Sequence, residues 1–183
     1  MEELVKQWIK HIGEDPNREG LQKTPERVAK AWEFLMRGYN QTIDEIVNEA
    51  VFESDANNMV IVKDIEIYSM CEHHMLPFMG MAHIGYVPNG RVVGLSKLAR
   101  VVEVVARRPQ VQERMTETIA DLLEQELQVK GVAVVIEATH TCMTVRGVRK
   151  PGSLCVTSAM RGLFRSNLSS RSEVMTLIYG GRR

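Results

Sequence analysis

Cys71-Glu72-His73-His74 places one thiol, one carboxylate and two imidazoles in four consecutive residues. A second cluster, His140-Thr141-Cys142, follows much later in the chain. Together they offer a zinc ion two thiolates and up to three imidazoles, the soft-to-borderline donors that zinc takes. A fold that uses them must bring two distant segments to one point. A strand carries residues i and i+2 on one face, ~6–7 Å apart. A strand through the second cluster would therefore aim His140 and Cys142 into one space and turn Thr141 away. The Cys-x-x-His spacing of Cys71 and His74 lets a tight turn direct both at one ion. Ligation by Cys71, His74 and Cys142 leaves a fourth position for water, the mark of a catalytic zinc. His73 and His140 then stand beside the ion as proton-transfer groups. The same residues also fit a closed four-ligand structural site that adds His140, or two apolar packed thiols with no metal. Cys155 has neither His nor Cys near it in sequence and reads as a packed strand residue.

Composition narrows the classes. The chain has 183 residues, 44% hydrophobic and 25% charged, ordinary for a globular protein with a real core. The formal net charge is zero, so no global field draws it to nucleic acid or membrane, and an anion site must be a local patch. No apolar run approaches the ~18–20 residues of a membrane span, and the N-terminus lacks the apolar core of a signal peptide. A cytoplasmic protein is expected. Of the three cysteines, two lie in His-containing clusters, which in that compartment favours metal over disulfides.

The first 50 residues read as helical and 51–183 as a mixed domain. Residues 1–12 form a helix with Leu4, Trp8, Ile9 and Ile12 on one face. Thr24 caps a second helix with Pro25 at its first position, and Gly38 ends it. Thr42-Ile43-Asp44-Glu45 is a capping box for a third. Met59–Tyr68 and Gly80–Val87 read as strands, and Asn89-Gly90 as a hairpin turn returning along Arg91–Leu95. Ser96 caps a helix that buries Leu98, Val101, Val102 and Val105. Pro109 opens a longer helix to about Lys130, with Met115, Ile119, Leu122, Leu123 and Leu127 inward and Gly131 as its stop. Val132–Val145 and Leu154–Ala159 read as strands, and Arg171–Ile178 as a closing helix. Helices first, then strand pairs with two helices inserted, predict an antiparallel α+β fold.

Lys97 and Arg100 share a face at the start of a helix, where free backbone N–H groups suit a phosphate. Arg146 and Arg149 stand close in sequence to the second cluster. Gln112 and Glu113 combine an amide with a carboxylate that accepts both N1–H and the exocyclic amine of a guanine. Each of these features is also what a solvated helix surface looks like.

At Cys71-Glu72-His73-His74, Gly94-Leu95-Ser96-Lys97, Arg108 to Arg114, His140-Thr141-Cys142 and Arg146-Gly147, the chain resembles the GTP cyclohydrolase I family, with the motifs in the family's order from about Thr24 onward. The resemblance implies a tunnelling fold: a four-stranded antiparallel sheet with two helices on one face, five subunits closing a barrel, and two such rings stacked as a homodecamer with sites at subunit interfaces. It implies zinc as cofactor and conversion of GTP and water to formate and 7,8-dihydroneopterin triphosphate, the first step toward pterins and tetrahydrofolate. Carried over, Cys71, His74 and Cys142 match the zinc ligands and His73 and His140 the acid–base histidines. Gln112 and Glu113 match the guanine-binding pair. Arg27, Ser96, Lys97, Arg100 and Arg146 match groups near the ribose and triphosphate.

Overall fold

The computed structural model describes residues 1–47 and 50–180. Helices α1 (Glu2–His11), α2 (Thr24–Leu35) and α3 (Ile43–Val47) come first. They are followed by β1 (Val51–Glu53), β2 (Val60–Cys71), β3 (Pro77–Val87), β4 (Arg91–Val93) and α4 (Leu95–Ala106). Next are β5 (Pro109–Gln110), α5 (Gln112–Leu127), β6 (Gly131–His140) and α6 (Thr141–Thr144). The chain closes with β7 (Cys155–Gly162), α7 (Leu163–Ser166) and α8 (Leu168–Tyr179).

The main sheet runs β5-β2-β3-β6-β7. Its four long strands pair antiparallel, and the two-residue β5 adds a parallel fifth beside Met70 and Cys71. A register shift between Val62 and Ile65 marks a bulge in β2, a device that bends a sheet. Strand β6 shows why both faces are covered. Val132, Val134 and Ile136 sit in one core with Val101, Val105, Met115, Ile119 and Leu123 of α4 and α5. Ala133 and Val135 face the other way, into a core with Phe164, Val174 and Ile178 of α7 and α8. The sheet therefore carries α4 and α5 on one face and the C-terminal helices on the other. Each large side chain so buried contributes roughly 1.5–3 kcal/mol.

Several sequence expectations meet their tertiary context here. Asn89-Gly90 does turn the chain, with Gly90 at φ +75°. Arg91–Val93 nevertheless pairs with β1, because β3 already has β2 and β6 on its two sides. Pro109 does not open a helix: Pro109 and Gln110 extend beside the end of β2, and α5 starts at Gln112. That helix ends at Leu127 with Gln128 in the left-handed region, and Gly131 instead opens β6. A Cβ at Gly131 would stand 2.9 Å from the backbone nitrogen of Leu163. Ser96 lies inside the first turn of α4, whose N-cap is Gly94. Thr24 is the first residue of α2 rather than its cap, and its hydroxyl donates to the Gly20 carbonyl at 3.4 Å. The capping box forms as expected: Thr42 N–H reaches Glu45 Oε2 at 3.3 Å, and Glu45 N–H reaches Thr42 Oγ1 at 3.4 Å.

The N-terminal helices leave their apolar stripe partly uncovered. Val5 and Ile9 are buried in α1, whereas Leu4, Trp8 and Ile12 are exposed. Helix α2 ends at Leu35, and Gly38 follows in a 3-10 turn, Arg37–Asn40. Gly38 is where this lobe grips the rest of the chain. Its N–H donates to Arg107 O at 3.1 Å, and its carbonyl accepts from Arg108 Nε and Nη2 at 3.0 and 2.8 Å.

Candidate active site

The loop between β2 and β3 carries the first cluster. Its shape comes from backbone hydrogen bonds: Cys71 N–H to Leu76 O at 2.9 Å and Met75 N–H to Cys71 O at 2.8 Å, with Met75 at φ +52°. Strand β5 braces it, since Glu72 N–H donates to Gln110 O at 3.1 Å. Gln110 is held in turn by its Nε2, which donates to Val105 O at 2.7 Å. The loop thus rests on the turn where Pro109 interrupts the helical run.

The second cluster arrives differently from the sequence expectation. Strand β6 ends at His140, and Thr141–Thr144 form a helical turn. The Thr141 hydroxyl donates to Pro77 O at 2.5 Å and ties that turn to the base of β3. Cys142 therefore does not share a strand face with His140. It is swung from the end of the strand toward the first loop, and the ligand atoms of Cys71, His74 and Cys142 all lie within 4.8 Å of one another. Cys71 Sγ is 3.9 Å from His74 Nδ1.

Zinc–sulfur and zinc–nitrogen bonds near 2.3 and 2.0–2.1 Å put tetrahedral ligand atoms roughly 3.5–4 Å apart. Two thiols and one imidazole at this separation suit a soft-to-borderline cation and leave a tetrahedral position open. Burial raises the Cys142 thiol, the adjacent Cys71 thiol raises it further, and Arg146 opposes both. Two thiols facing each other in a half-buried site are what a cation would relieve, because it stabilises the thiolates.

A pocket of about 250 Å³ encloses this group and is lined by Cys71, His73, His74, Gln110–Glu113, His140, Cys142, Met143 and Cys155. His140 stacks on the buried ring of Phe78, centroids 4.4 Å apart and planes 9° from parallel. Its pKa is lowered by burial and raised by the Glu113 carboxylate. Cys155, a strand residue as expected, also lines this pocket, and its thiol is raised by burial and by Glu113. Its place opposite the metal cluster depends on strand pairing and has no signal in its sequence neighbours. Glu72 and Arg114 belong to the sequence motifs named above, but sequence spacing assigns them no partner. They form an ion pair between the metal loop and the first turn of α5, with the other Glu72 oxygen 3.9 Å from His73 Nε2.

The expected substrate-side residues separate into two groups. Arg146 is felt electrostatically at Cys142. Arg27 is exposed on α2 and Ser96 on the first turn of α4, with half-buried Lys97 beside it. Arg100 borders a different cleft, about 440 Å³, with Lys63, Glu66, Tyr68, Glu103 and Arg107. Neither Arg146 nor any of these four lines the metal pocket of its own chain.

A mixed α+β sheet of this kind is found in a solved structure of the archaeosine synthase QueF-Like in its apo form, which matches 59% of this chain and 97% of that one at a TM-score of 0.50 and 15% identity. That likeness concerns the fold alone. The model of the family "GTP cyclohydrolase I" matches residues 1–179. The GTP cyclohydrolase 1 of Deinococcus radiodurans is 56% identical over 183 residues, covering 100% of this chain and 85% of that one. The enzyme of the same name from Methylococcus capsulatus is 56% identical over 178 residues, covering 97% and 96%. Fold and pocket together define an α+β enzyme with a Cys-His-Cys group able to hold a metal ion. The chain belongs to the GTP cyclohydrolase I family. No helix among the described residues is long and apolar enough to cross a membrane.

Proposed function

We propose that this chain is a zinc-dependent enzyme that converts GTP and water to formate and 7,8-dihydroneopterin triphosphate, the first step of pterin and tetrahydrofolate formation. The observation that carries the reading is the convergence of Cys71, His74 and Cys142 in one pocket with His73, His140 and Glu113. Cys71, His74 and Cys142 hold the zinc, which when bound supplies a Lewis acid that brings the pKa of water toward neutrality. The surrounding residues do the rest. Glu113 accepts N1–H and the exocyclic amine of the guanine and so orients C8 toward the metal group. His73 and His140 move the protons: one delivers a proton to N7 as water adds at C8, and one assists ring opening and departure of formate. The opened ribose then rearranges and closes on the freed amine to give the dihydropterin.

The triphosphate is held by Arg146 together with Ser96, Lys97, Arg100 and Arg27. Arg146 acts electrostatically on Cys142 of its own chain, whereas the other four show no such tie to the pocket and a neighbouring copy supplies them. Sites between subunits fit the homodecamer of two stacked pentamers, in the cytoplasm, that the family resemblance implies. Open sheet edges point the same way: among the described residues β7 bonds only to β6, and β2 has a second partner only at Met70 and Cys71. We assign residues 1–50 to an N-terminal helical region and 51–183 to a tunnelling-fold catalytic domain, a division supported by the four long antiparallel strands that carry α4 and α5 on one face.

Incubation with GTP and zinc tests the reading directly. Formate and a product that becomes a fluorescent pterin on oxidation are expected. A zinc-loaded protein that binds GTP and releases neither would overturn it.

A further inference from the structure

Gln112 opens the helix that carries Glu113 into the pocket, yet its side chain is turned inward and the residue is only 1% exposed. Successive helical positions point about 100° apart, so neighbours in sequence need not share a target. Gln112 Nε2 lies 3.1 Å from each of three atoms: the backbone carbonyls of Ile136 and Cys155, and Thr157 Oγ1. Carbonyl oxygens only accept hydrogen bonds, so the NH2 end of the amide must face them. The reverse orientation would set Oε1 against two carbonyl oxygens that cannot donate to it.

The consequence falls on His140. With its amide nitrogen engaged, Gln112 presents Oε1 to His140 Nε2 at 2.7 Å. An amide oxygen cannot donate, so His140 Nε2 carries the hydrogen whether the ring is neutral or charged. The support behind the amide is closed. Thr116 Oγ1 donates to Gln112 O at 2.8 Å, and the Thr116 and Thr157 hydroxyls are 2.7 Å apart. Thr157 can thus accept from Gln112 and donate to Thr116, which leaves each hydroxyl satisfied. Phe78, stacked on the imidazole, fixes the plane of the ring, and Gln112 fixes its rotation within that plane.

We infer that Gln112 is a positioning residue: it holds His140 in the Nε2–H form and one orientation, and reading of the base falls to Glu113 rather than to the Gln112–Glu113 pair. The inference rests on the proposed role of His140 as a proton-transfer group. If it holds, the proton-accepting nitrogen of neutral His140 is Nδ1.

Solid-state 15N NMR of the zinc-loaded, histidine-labelled protein reads the tautomer without reference to turnover, the His140 signals being those lost in His140→Gln. The neutral ring should show a protonated Nε2 and a bare Nδ1. Gln112→Met, close in shape but unable to accept from the ring, should give a mixture of tautomers. Its kcat for GTP should fall at least about tenfold, part of what a positioned proton-transfer group supplies, while KM stays within about threefold. A merely structural role would lower stability and leave the tautomer and the kcat–KM split unmoved, which would overturn the inference. So would a rise in KM with kcat retained, the signature of base reading. If Gln112→Met fails to fold, the wild-type spectrum still decides, since an Nδ1–H tautomer there refutes the inference. Absence of GTP turnover by the wild type would instead refute the proposed function, while the Nε2–H signal would still uphold the role of Gln112.

Discussion

His140 titrates under two opposed influences: burial lowers its pKa, and the carboxylate of Glu113 raises it. The same carboxylate raises the Cys155 thiol. Glu113 is therefore a charge that both His140 and Cys155 feel. It sits exposed on the first turn of α5, where a ligand can reach it.

Glu113→Gln is expected to keep zinc, fold and oligomer and to lose most GTP turnover. An amide replaces a charged acceptor of two guanine donors, so roughly 1.5–3 kcal/mol of pairing is at stake. Adenine presents an unprotonated N1 to the same carboxylate, and the wild type should ignore ATP. Steady-state kinetics with both nucleotides checks this. Undiminished GTP turnover by the variant would show that guanine is read elsewhere.

Cys71→Ala and Cys142→Ala should each lose bound zinc and activity together. Each removes one of three ligands whose atoms stand within 4.8 Å of one another. Metal content by atomic spectroscopy, measured beside turnover, is the check. Full zinc and full activity in Cys142→Ala would show that the ion sits elsewhere.

The proposed sharing of sites between subunits predicts complementation. Arg100→Ala and Cys142→Ala homo-oligomers should both be nearly inactive. Co-refolded mixtures should recover up to about a quarter of wild-type activity, because random assembly pairs an intact metal pocket with an intact Arg100 that often. No recovery from a verified mixed oligomer would place Arg100 and the metal in one chain's site.

Gly38→Ala should destabilise the protein by about 1–3 kcal/mol, the usual cost of overpacking a tight contact. A Cβ at Gly38 would stand 2.1 Å from Val104 O and 2.8 Å from Arg107 O, so helix and turn must separate. Denaturant unfolding measures the loss. An unchanged midpoint would show that the N-terminal lobe docks more loosely than this packing indicates.

Much of this was legible in the residues, because it depends on local periodicity. The stripe Leu98, Val101, Val102 and Val105 reads as one buried helix face and is one. The apolar, Val-rich run from Val132 reads as a strand and is one as far as His140, and the reciprocal bonds of Thr42 and Glu45 need only each other. The Cys-x-x-His turn likewise brings Cys71 and His74 together within a single loop.

The rest turned on partners that a local pattern does not name. Arg91–Leu95 reads as the return of a hairpin, but β3 has no free side, so Arg91–Val93 pairs with β1. Cys142 met Cys71 and His74 by leaving the strand, since the turn at Thr141 is anchored to Pro77 on a neighbouring strand. Gln112 stood next to Glu113 in the chain yet turned the other way, toward carbonyls of β6 and β7 that lie 24 and 43 residues further on. Sequence spacing set which residue types could reach a metal. Long-range strand pairing, through backbone bonds that any residue can make, set where those side chains point.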